Sequence, residues 1–308
     1  MPLPRVLADL PVSPVVLELL GGRVDLVPWD ATGRIDAIYT YGHPIVDAAM
    51  MDRFAGLKLI SNFGVGVDHI DVKAATARNI PVGNTPGILD GATADLAFAL
   101  ILAAGRRIVE GDRYARGPDF LRYDPSFMLG REVHSSTLGV FGMGRIGRQV
   151  AKRANGFGMK VLYHNRNRND EAEIALGAKY ASKDELLAGS DYVVLTVPLT
   201  AETRGFIGRA ELAKMKPTAT LVNVARGAVV DKDALAEAMT AKRIFAAALD
   251  VTDPEPLPRD HPLLKLANVI ITPHLGSATE ETRRRMAELS VLNLFAGLEG
   301  KELPFRVR

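Results

Sequence analysis

Short apolar runs alternate with amphipathic stretches from one end of the chain to the other. In the first part these runs predict strands at Arg5–Leu10, Asp25–Trp29, Asp36–Thr40, Leu57–Asn62 and Ile80–Gly83. In the second part they predict strands at Thr137–Phe141, Lys160–His164, Tyr192–Val197, Thr220–Val224, Ala246–Asp250 and Val269–Thr272. Between them lie helical patterns such as Ile146–Phe157, Lys183–Ala188, Lys232–Ala241 and Thr279–Leu298. β-Branched runs bounded by Gly, Asp and Asn and alternating with helices predict parallel sheets of βαβ units, an α/β fold. Residues 89–114 read as one long helix beginning near Asp90-Gly91-Ala92-Thr93, apolar nearly all round from Leu96 to Leu102. Such a helix is expected to be buried, between domains or subunits. Arg116–Val133, with Gly, Pro and scattered aromatics but no period, predicts a loop or arm long enough to be functional.

Composition narrows the picture. At 308 residues the chain is long for one domain and comfortable for two, at about 100–200 residues per domain. It has no cysteine, which excludes disulfides, thiolate metal sites and cysteine nucleophiles and fits a reducing compartment. Lys plus Arg number 38 against 36 for Asp plus Glu, so no overall basic field favours nucleic acid or membrane. The opening MPLPRVLADLPVSPVVLELL is broken by prolines and acids and argues against a signal peptide. No stretch reaches the roughly 18 uncharged apolar residues of a membrane span. The expectation is a soluble, cytoplasmic protein.

Chemistry enters with Ser136-Thr-Leu-Gly-Val-Phe-Gly142-Met-Gly144-Arg-Ile-Gly147, which sets Gly-x-Gly-x-x-Gly between a strand and a helix. Gly142 permits a tight turn, Gly144 lets backbone approach a pyrophosphate, and Gly147 allows close helix–strand packing. The positive end of the following helix suits a diphosphate. Alone the motif is weak; with a strand before, a helix after and a second strand at the right distance it predicts a dinucleotide site. Met143 reads as a spacer within it. At the end of that second strand, where an acid would bind the adenosine ribose of NAD, the chain reads Tyr163-His164-Asn165-Arg166-Asn167-Arg168. A neutral Asn165 does not repel a 2′-phosphate, and Arg166 or Arg168 can pair with one, which predicts NADPH as cofactor.

Three further polar groups fall at strand ends, where open α/β sheets bind ligands. Asn223-Val224-Ala225-Arg226-Gly227 presents a guanidinium suited to bidentate capture of a carboxylate. Asp250-Val-Thr-Asp253-Pro254-Glu255-Pro256 carries a carboxylate in a proline-stiffened loop, and Thr272-Pro273-His274-Leu275-Gly276-Ser277 presents an imidazole. Each alone is an ordinary ion pair, loop acid or strand-end histidine. Together, after a dinucleotide motif, they form the set a 2-keto acid reductase needs. Hydride attack on C2 creates an alkoxide, which His274 can protonate while Glu255 holds its tautomer and Arg226 orients the substrate.

With these residues the chain resembles the D-isomer-specific 2-hydroxyacid dehydrogenase family, with most likeness to its glyoxylate/hydroxypyruvate reductase branch. The matching stretches are Phe63-Gly-Val-Gly-Val-Asp-His69, Asn84-Thr-Pro-Gly-Ile-Leu-Asp90 with Ala92-Thr-Ala-Asp95, Val140–Gly147, Asn223–Gly227, Ala248–Pro258 and Ile271–Thr279. The resemblance implies two doubly wound domains with a cleft between them. A Rossmann cofactor domain, 89–279, would be inserted into a discontinuous flavodoxin-like substrate domain, 1–88 plus 280–308. It implies catalytic Arg226, Glu255 and His274, and Val65 and Gly66 as backbone donors to the substrate carboxylate beside Arg226. Implied cofactor contacts are Thr93, Gly142, Gly144, Arg145, Ile146, Gly147, Asn165, Arg166, Val197, Pro198, Val224, Asp250, His274 and Gly276, with Asp250 on the nicotinamide carboxamide. Family members are commonly dimers built around the long helix and arm, so a homodimer is expected.

Two departures stand out. Asp95 replaces a frequent Glu, and the arm offers Phe120, Tyr123 and Phe127 where relatives can place a Trp; the only Trp is Trp29. A 2-ketogluconate reductase, another 2-hydroxyacid dehydrogenase and, in a different class, a dinucleotide-sensing corepressor remain alternative readings. Glu255 argues against the formate dehydrogenase branch, which carries Gln there. His43, His69, His134, His164 and His261 lack metal-ligand spacing, so no metal is expected. Arg283-Arg284-Arg285 reads as a solvated helix face.

Overall fold

The computed structural model describes residues 2–307. Two compact units result: residues up to Leu89 with those from Ala278 onward, and Asp90–Ser277. Among the described residues no helix is long and apolar enough to cross a membrane.

The first unit contains β1 (Arg5–Ala8), α1 (Pro14–Leu20), β2 (Asp25–Pro28), β3 (Ala37–Thr40), α2 (Ala48–Asp52), β4 (Leu59–Asn62), α3 (Val72–Ala77) and β5 (Val82–Gly83). All five strands are parallel in the order β2-β1-β3-β4-β5, the flavodoxin-like arrangement. Leu7, Ile38 and Ile60 pack with Val46, Met51 and Phe54 in its core. The C-terminal helix of the chain, Glu280–Leu298, belongs to this unit and lies against β4 and α1. It is fixed by hydrogen bonds from Ser61 Oγ to the Ser290 carbonyl and between the Tyr39 and Ser290 hydroxyls, each 2.7 Å long. Of the arginine run on this helix, Arg284 and Arg285 are exposed, but Arg283 is half-buried with its guanidinium over the Phe63 ring. The expected uniformly solvated face is therefore corrected at Arg283.

The second unit begins with α4 (Asp90–Gly105) and α5 (Ile108–Ala115). There follow β6 (Thr137–Phe141), α6 (Arg145–Gly156), β7 (Lys160–His164), α7 (Asp170–Leu176), β8 (Lys179–Tyr180), α8 (Lys183–Gly189) and β9 (Tyr192–Leu195). The unit closes with α9 (Arg209–Lys214), β10 (Thr220–Asn223), α10 (Lys232–Thr240), β11 (Ala246–Leu249) and β12 (Val269–Ile271); the C-terminal helix of the first unit is α11. The sheet runs β12-β11-β10-β9-β6-β7-β8 with every pair parallel. Numbered within the unit this is 7-6-5-4-1-2-3, a Rossmann order with one added strand, and its connections reverse direction between β6 and β9. Folds of this order bind ligands beyond the carboxyl ends of the strands at such a reversal, here β6 and β9.

Two expectations change here. The single helix over 89–114 is two helices, broken at Arg106-Arg107 with Arg107 in the left-handed region at φ 53°. The Gly105 carbonyl accepts the Arg131 N–H at 2.7 Å as the arm returns, and a Cβ on Gly105 would come within 2.4 Å of the Tyr192 hydroxyl. Close packing that tolerates only glycine, and a partner distant in sequence, end the helix where the apolar pattern does not. The predicted strands also overrun: Val197, Val224, Asp250 and Thr272 lie just past the last paired residues. Their backbones turn into loops carrying the polar groups. The arm from Arg116 to Val133 has no helix or strand and exposes Phe120, Leu121, Tyr123, Phe127 and Leu129. Tyr114 packs against Phe120 and Phe127 with ring centroids 5.6 and 4.8 Å away.

Candidate active site

The glycine loop after β6 is shaped by two close approaches. Gly142 has φ 97°, and a Cβ there would lie 2.9 Å from the Thr196 carbonyl carbon and the Val197 nitrogen. A Cβ on Gly147 would sit 2.0 Å from the Gly142 carbonyl oxygen, so only glycine lets α6 start this close to the strand. Thr196 secures that carbonyl by donating its hydroxyl at 2.6 Å. At Gly144, in contrast, a Cβ would meet nothing within 4 Å. Gly144 is the N-cap of α6 and supplies no side-chain cap, so the first-turn N–H groups are left without one. An uncapped helix start beneath an open glycine is a fit for a diphosphate. Arg145 and Ile146 form the first turn, Arg145 exposed and Ile146 packed on the core. Burial pushes the nearby Asp90 carboxyl up, against the pull of the Arg145 guanidinium.

Met143 is more than the expected spacer. Its side chain is 1% exposed in the core, and its peptide is clamped from both sides. Asn165 Oδ1 accepts the Met143 N–H at 2.7 Å, and Asn169 Nδ2 donates to the Met143 carbonyl at 2.9 Å. Asn169 also caps α7 and donates its N–H to the Tyr163 hydroxyl at 2.7 Å. Sequence reasoning passed over Asn169; its only sequence mark is an N-cap residue ahead of the acidic pair Asp170-Glu171. Asn165 Nδ2 keeps its donors without a protein partner among the described residues. Arg166 is exposed. Arg168 forks onto Glu173 at 3.0 and 2.5 Å, and hydrogen bonds from Arg168 and then Tyr163 hold the Glu173 carboxyl below its usual range.

The reacting groups stand past the ends of neighbouring strands β10, β11 and β12, which align Asn223 with Leu249 and Leu249 with Ile271. Asn223, fully buried, accepts the Ala225 N–H and donates to the Arg226 carbonyl, fixing the turn on which Arg226 stands. A Cβ on Gly227 would lie 2.0 Å from the Thr252 carbonyl carbon, so this turn fits tightly beside the loop after β11. In that loop Glu255 accepts the Thr252 N–H at 3.2 Å and faces His274, with Glu255 Oε1 2.8 Å from His274 Nδ1. His274 adopts φ 56° and donates its N–H to the Asp250 and Thr272 carbonyls.

Asp250 organises the imidazole loop. Its carboxylate, on a residue 2% exposed, accepts the Thr272 hydroxyl and the Leu275 and Gly276 N–H groups at 2.7–2.8 Å. Those three bonds fill most of a carboxylate's roughly four acceptor positions. A Cβ on Gly276 would lie 3.2 Å from Asp250 Oδ2 and 3.4 Å from Thr93, so Asp250, Gly276 and buried Thr93 meet. Val197 borders Gly142, the Pro198 carbonyl accepts the Thr203 hydroxyl, and Val224 is buried beside Asn223. Asp95 pairs with Arg153 at 2.6 Å, tying α4 to α6. Val65 and Gly66 belong to the first unit, in the loop after β4. Among the described residues no group of three or more His, Cys, Asp or Glu side chains is arranged to hold a metal ion.

A doubly wound dinucleotide fold with a carboxylate–imidazole pair beyond its strand ends defines a class, the nicotinamide-dependent oxidoreductases. Residues 98–276 match the model of the D-isomer specific 2-hydroxyacid dehydrogenase NAD-binding domain. A glyoxylate reductase of Aeropyrum pernix is 44% identical over 317 residues, covering 98% of this chain and 95% of that protein. One of Korarchaeum cryptofilum is 49% identical over 270 residues, 87% of this chain and 81% of that protein. The NADPH-dependent glyoxylate/hydroxypyruvate reductase of Sinorhizobium meliloti, solved with NADP and malonate, superposes with a TM-score of 0.89 at 33% identity, covering 99% of this chain and 96% of that one. The chain belongs to the D-isomer specific 2-hydroxyacid dehydrogenase family and is an enzyme of that family.

Proposed function

We propose that this enzyme reduces a small 2-keto acid, glyoxylate or hydroxypyruvate, to the D-2-hydroxy acid with NADPH. The 2.8 Å pairing of His274 Nδ1 with Glu255 is the observation that carries the reading. When bound, the reduced nicotinamide would supply the hydride. Glu255 holds the Nδ1 proton of His274, so the imidazolium gives up its Nε2 proton to the developing alkoxide oxygen and remains as the Nδ1–H tautomer. Arg226 pairs with the substrate carboxylate, with the Val65 and Gly66 N–H groups as further donors, and fixes the carbonyl for attack.

NADPH preference rests on the β7 end. Asn165 offers an amide donor where an acid would repel a 2′-phosphate, and Arg166 is open to pair with one. Because Glu173 engages Arg168, Asn165 and Arg166 are left to meet the phosphate. Names of the relatives above support the substrate class. The five exposed apolar side chains of the arm, Phe120, Leu121, Tyr123, Phe127 and Leu129, support a homodimer, since apolar area gains by being covered. We place the enzyme in the cytoplasm, in keeping with its lack of cysteine.

A substrate panel of glyoxylate, hydroxypyruvate and 2-ketogluconate, run with each coenzyme, tests the reading. The expected result is a higher kcat/KM with NADPH and with one of the two small keto acids. Equal or better use of NADH would remove the coenzyme assignment, and turnover of ketogluconate alone would replace the substrate.

A further inference from the structure

We propose that Asn62 and Asn84 are positioning residues for the substrate carboxylate, holding three successive carbonyls so that the Val65 and Gly66 N–H groups form a ready anion nest. The inference rests on the reading above, in which those N–H groups bind the carboxylate. Asn62 ends β4 and is 1% exposed. Its Oδ1 accepts the Thr40 hydroxyl at 2.8 Å, which fixes the amide's orientation. Its Nδ2 therefore faces the loop, and it donates to the Gly64 and Gly66 carbonyls, each at 3.0 Å. Asn84 Nδ2 donates to the Val65 carbonyl at 2.9 Å, and the Thr85 N–H gives Gly64 a second bond at 3.0 Å.

A trans peptide points its N–H opposite its carbonyl. Holding the Gly64 carbonyl thus aims the Val65 N–H away from Asn62, and holding the Val65 carbonyl aims the Gly66 N–H away from Asn84. Neither N–H has an acceptor among the described residues. Successive N–H groups left open in this way make an anion-binding concavity. Asn84 is itself anchored. Its N–H donates to the Phe305 carbonyl, and its carbonyl accepts Nδ2 of fully buried Asn293, which also takes the Phe305 N–H. The nest is braced by α11 and by the segment after it. Only an amide serves at 62 and 84, because a carboxylate of the same shape would set oxygen against oxygen.

The test uses Asn84→Asp and Asn62→Asp in the full-length enzyme, with Asn84→Ala as a third variant should the buried Asn62 change prevent folding. Oxalate binding to the NADP-loaded protein is measured by calorimetry, alongside KM for glyoxylate, kcat and NADPH Kd. Oxalate Kd and glyoxylate KM are expected to rise about tenfold or more, with kcat changed less and NADPH Kd within about twofold, the scale of losing a charged hydrogen bond. A general packing defect would instead lower kcat and coenzyme affinity together. Wild-type oxalate affinity in folded Asn84 variants would overturn the proposal. If wild type binds oxalate but reduces no 2-keto acid, the function reading fails, and loss of oxalate binding in the variants still supports the nest. If wild type binds no oxalate, the nest itself is excluded.

Discussion

His274 combines a left-handed backbone, φ 56°, with a side chain committed to Glu255. Histidine tolerates this region better than most residues, and two carbonyls hold its N–H, so the ring is presented from a fixed point. His274→Ala is expected to lower kcat by about 10²–10⁴-fold while NADPH Kd stays close to wild type. Near-normal single-turnover rates in that variant would take the proton-donor role away from His274. Arg226→Lys keeps the charge but loses the planar fork, so keto-acid KM should climb by about tenfold or more with coenzyme affinity unchanged. Stopped-flow titration with NADPH would separate the two effects. Residue types at this site were readable because strand ends followed by Arg, Glu and His are conspicuous. The supporting roles of Asn223, already part of the Arg226 motif, and of Asn169 were not, since a side-chain amide bonding to a backbone carbonyl across a loop leaves no periodic trace in sequence.

At the scale of elements, the second and third glycines of the motif serve opposite ends. Gly147 has a carbonyl where a methyl would go, while the space over Gly144 is empty. Gly147→Ala should therefore destabilise the folded enzyme, by about 1–3 kcal/mol as overpacking does, visible in the thermal midpoint. Gly144→Ala should melt like wild type yet bind NADPH at least about tenfold more weakly, because the methyl occupies the diphosphate's approach. Equal coenzyme affinity in Gly144→Ala would show that the loop does not meet the diphosphate. All strands but one were legible as short apolar runs, and the four helices named from sequence lie within a residue or so of where they form. The break at Arg107 and the short edge strand Lys179–Tyr180 were not legible. The first depends on the arm's return to Gly105 and the second on pairing with β7, both tertiary events.

For the molecule as a whole, the alternation of strands and helices implied parallel sheets, but only the structure gives their orders, since periodicity carries no information on which strands are neighbours. Stability has a chargeable weak point in the first unit. Burial raises the Asp36 carboxyl, but hydrogen bonds from the Arg34 side chain and the Arg5 N–H, with Lys58 nearby, bring it below its usual value. A carboxyl depressed in the folded state stabilises above its unfolded pKa of about 3.9 and loses that contribution as pH falls through the folded value. Asp36→Asn should lower the melting temperature at neutral pH and flatten its decline on acidification. A parallel decline in both proteins would contradict this. Sedimentation should give about twice the 33.2 kDa chain mass, and Leu121→Asp with Tyr123→Asp in the arm should shift the enzyme toward monomer.

The hold that Asn165 keeps on Met143 has a consequence for coenzyme exchange. The oxygen of that side chain already serves the glycine loop, so Asn165→Asp would retain the loop's support and alter a single outward-facing group, amide nitrogen to oxygen. The new oxygen would accept from a ribose hydroxyl and repel a phosphate. Preference should swing toward NADH without loss of fold, read as the ratio of kcat/KM for the two coenzymes in one melt-matched pair of proteins. Selection could thus retune this enzyme between the reducing pools of a cell by exchanging one atom for another.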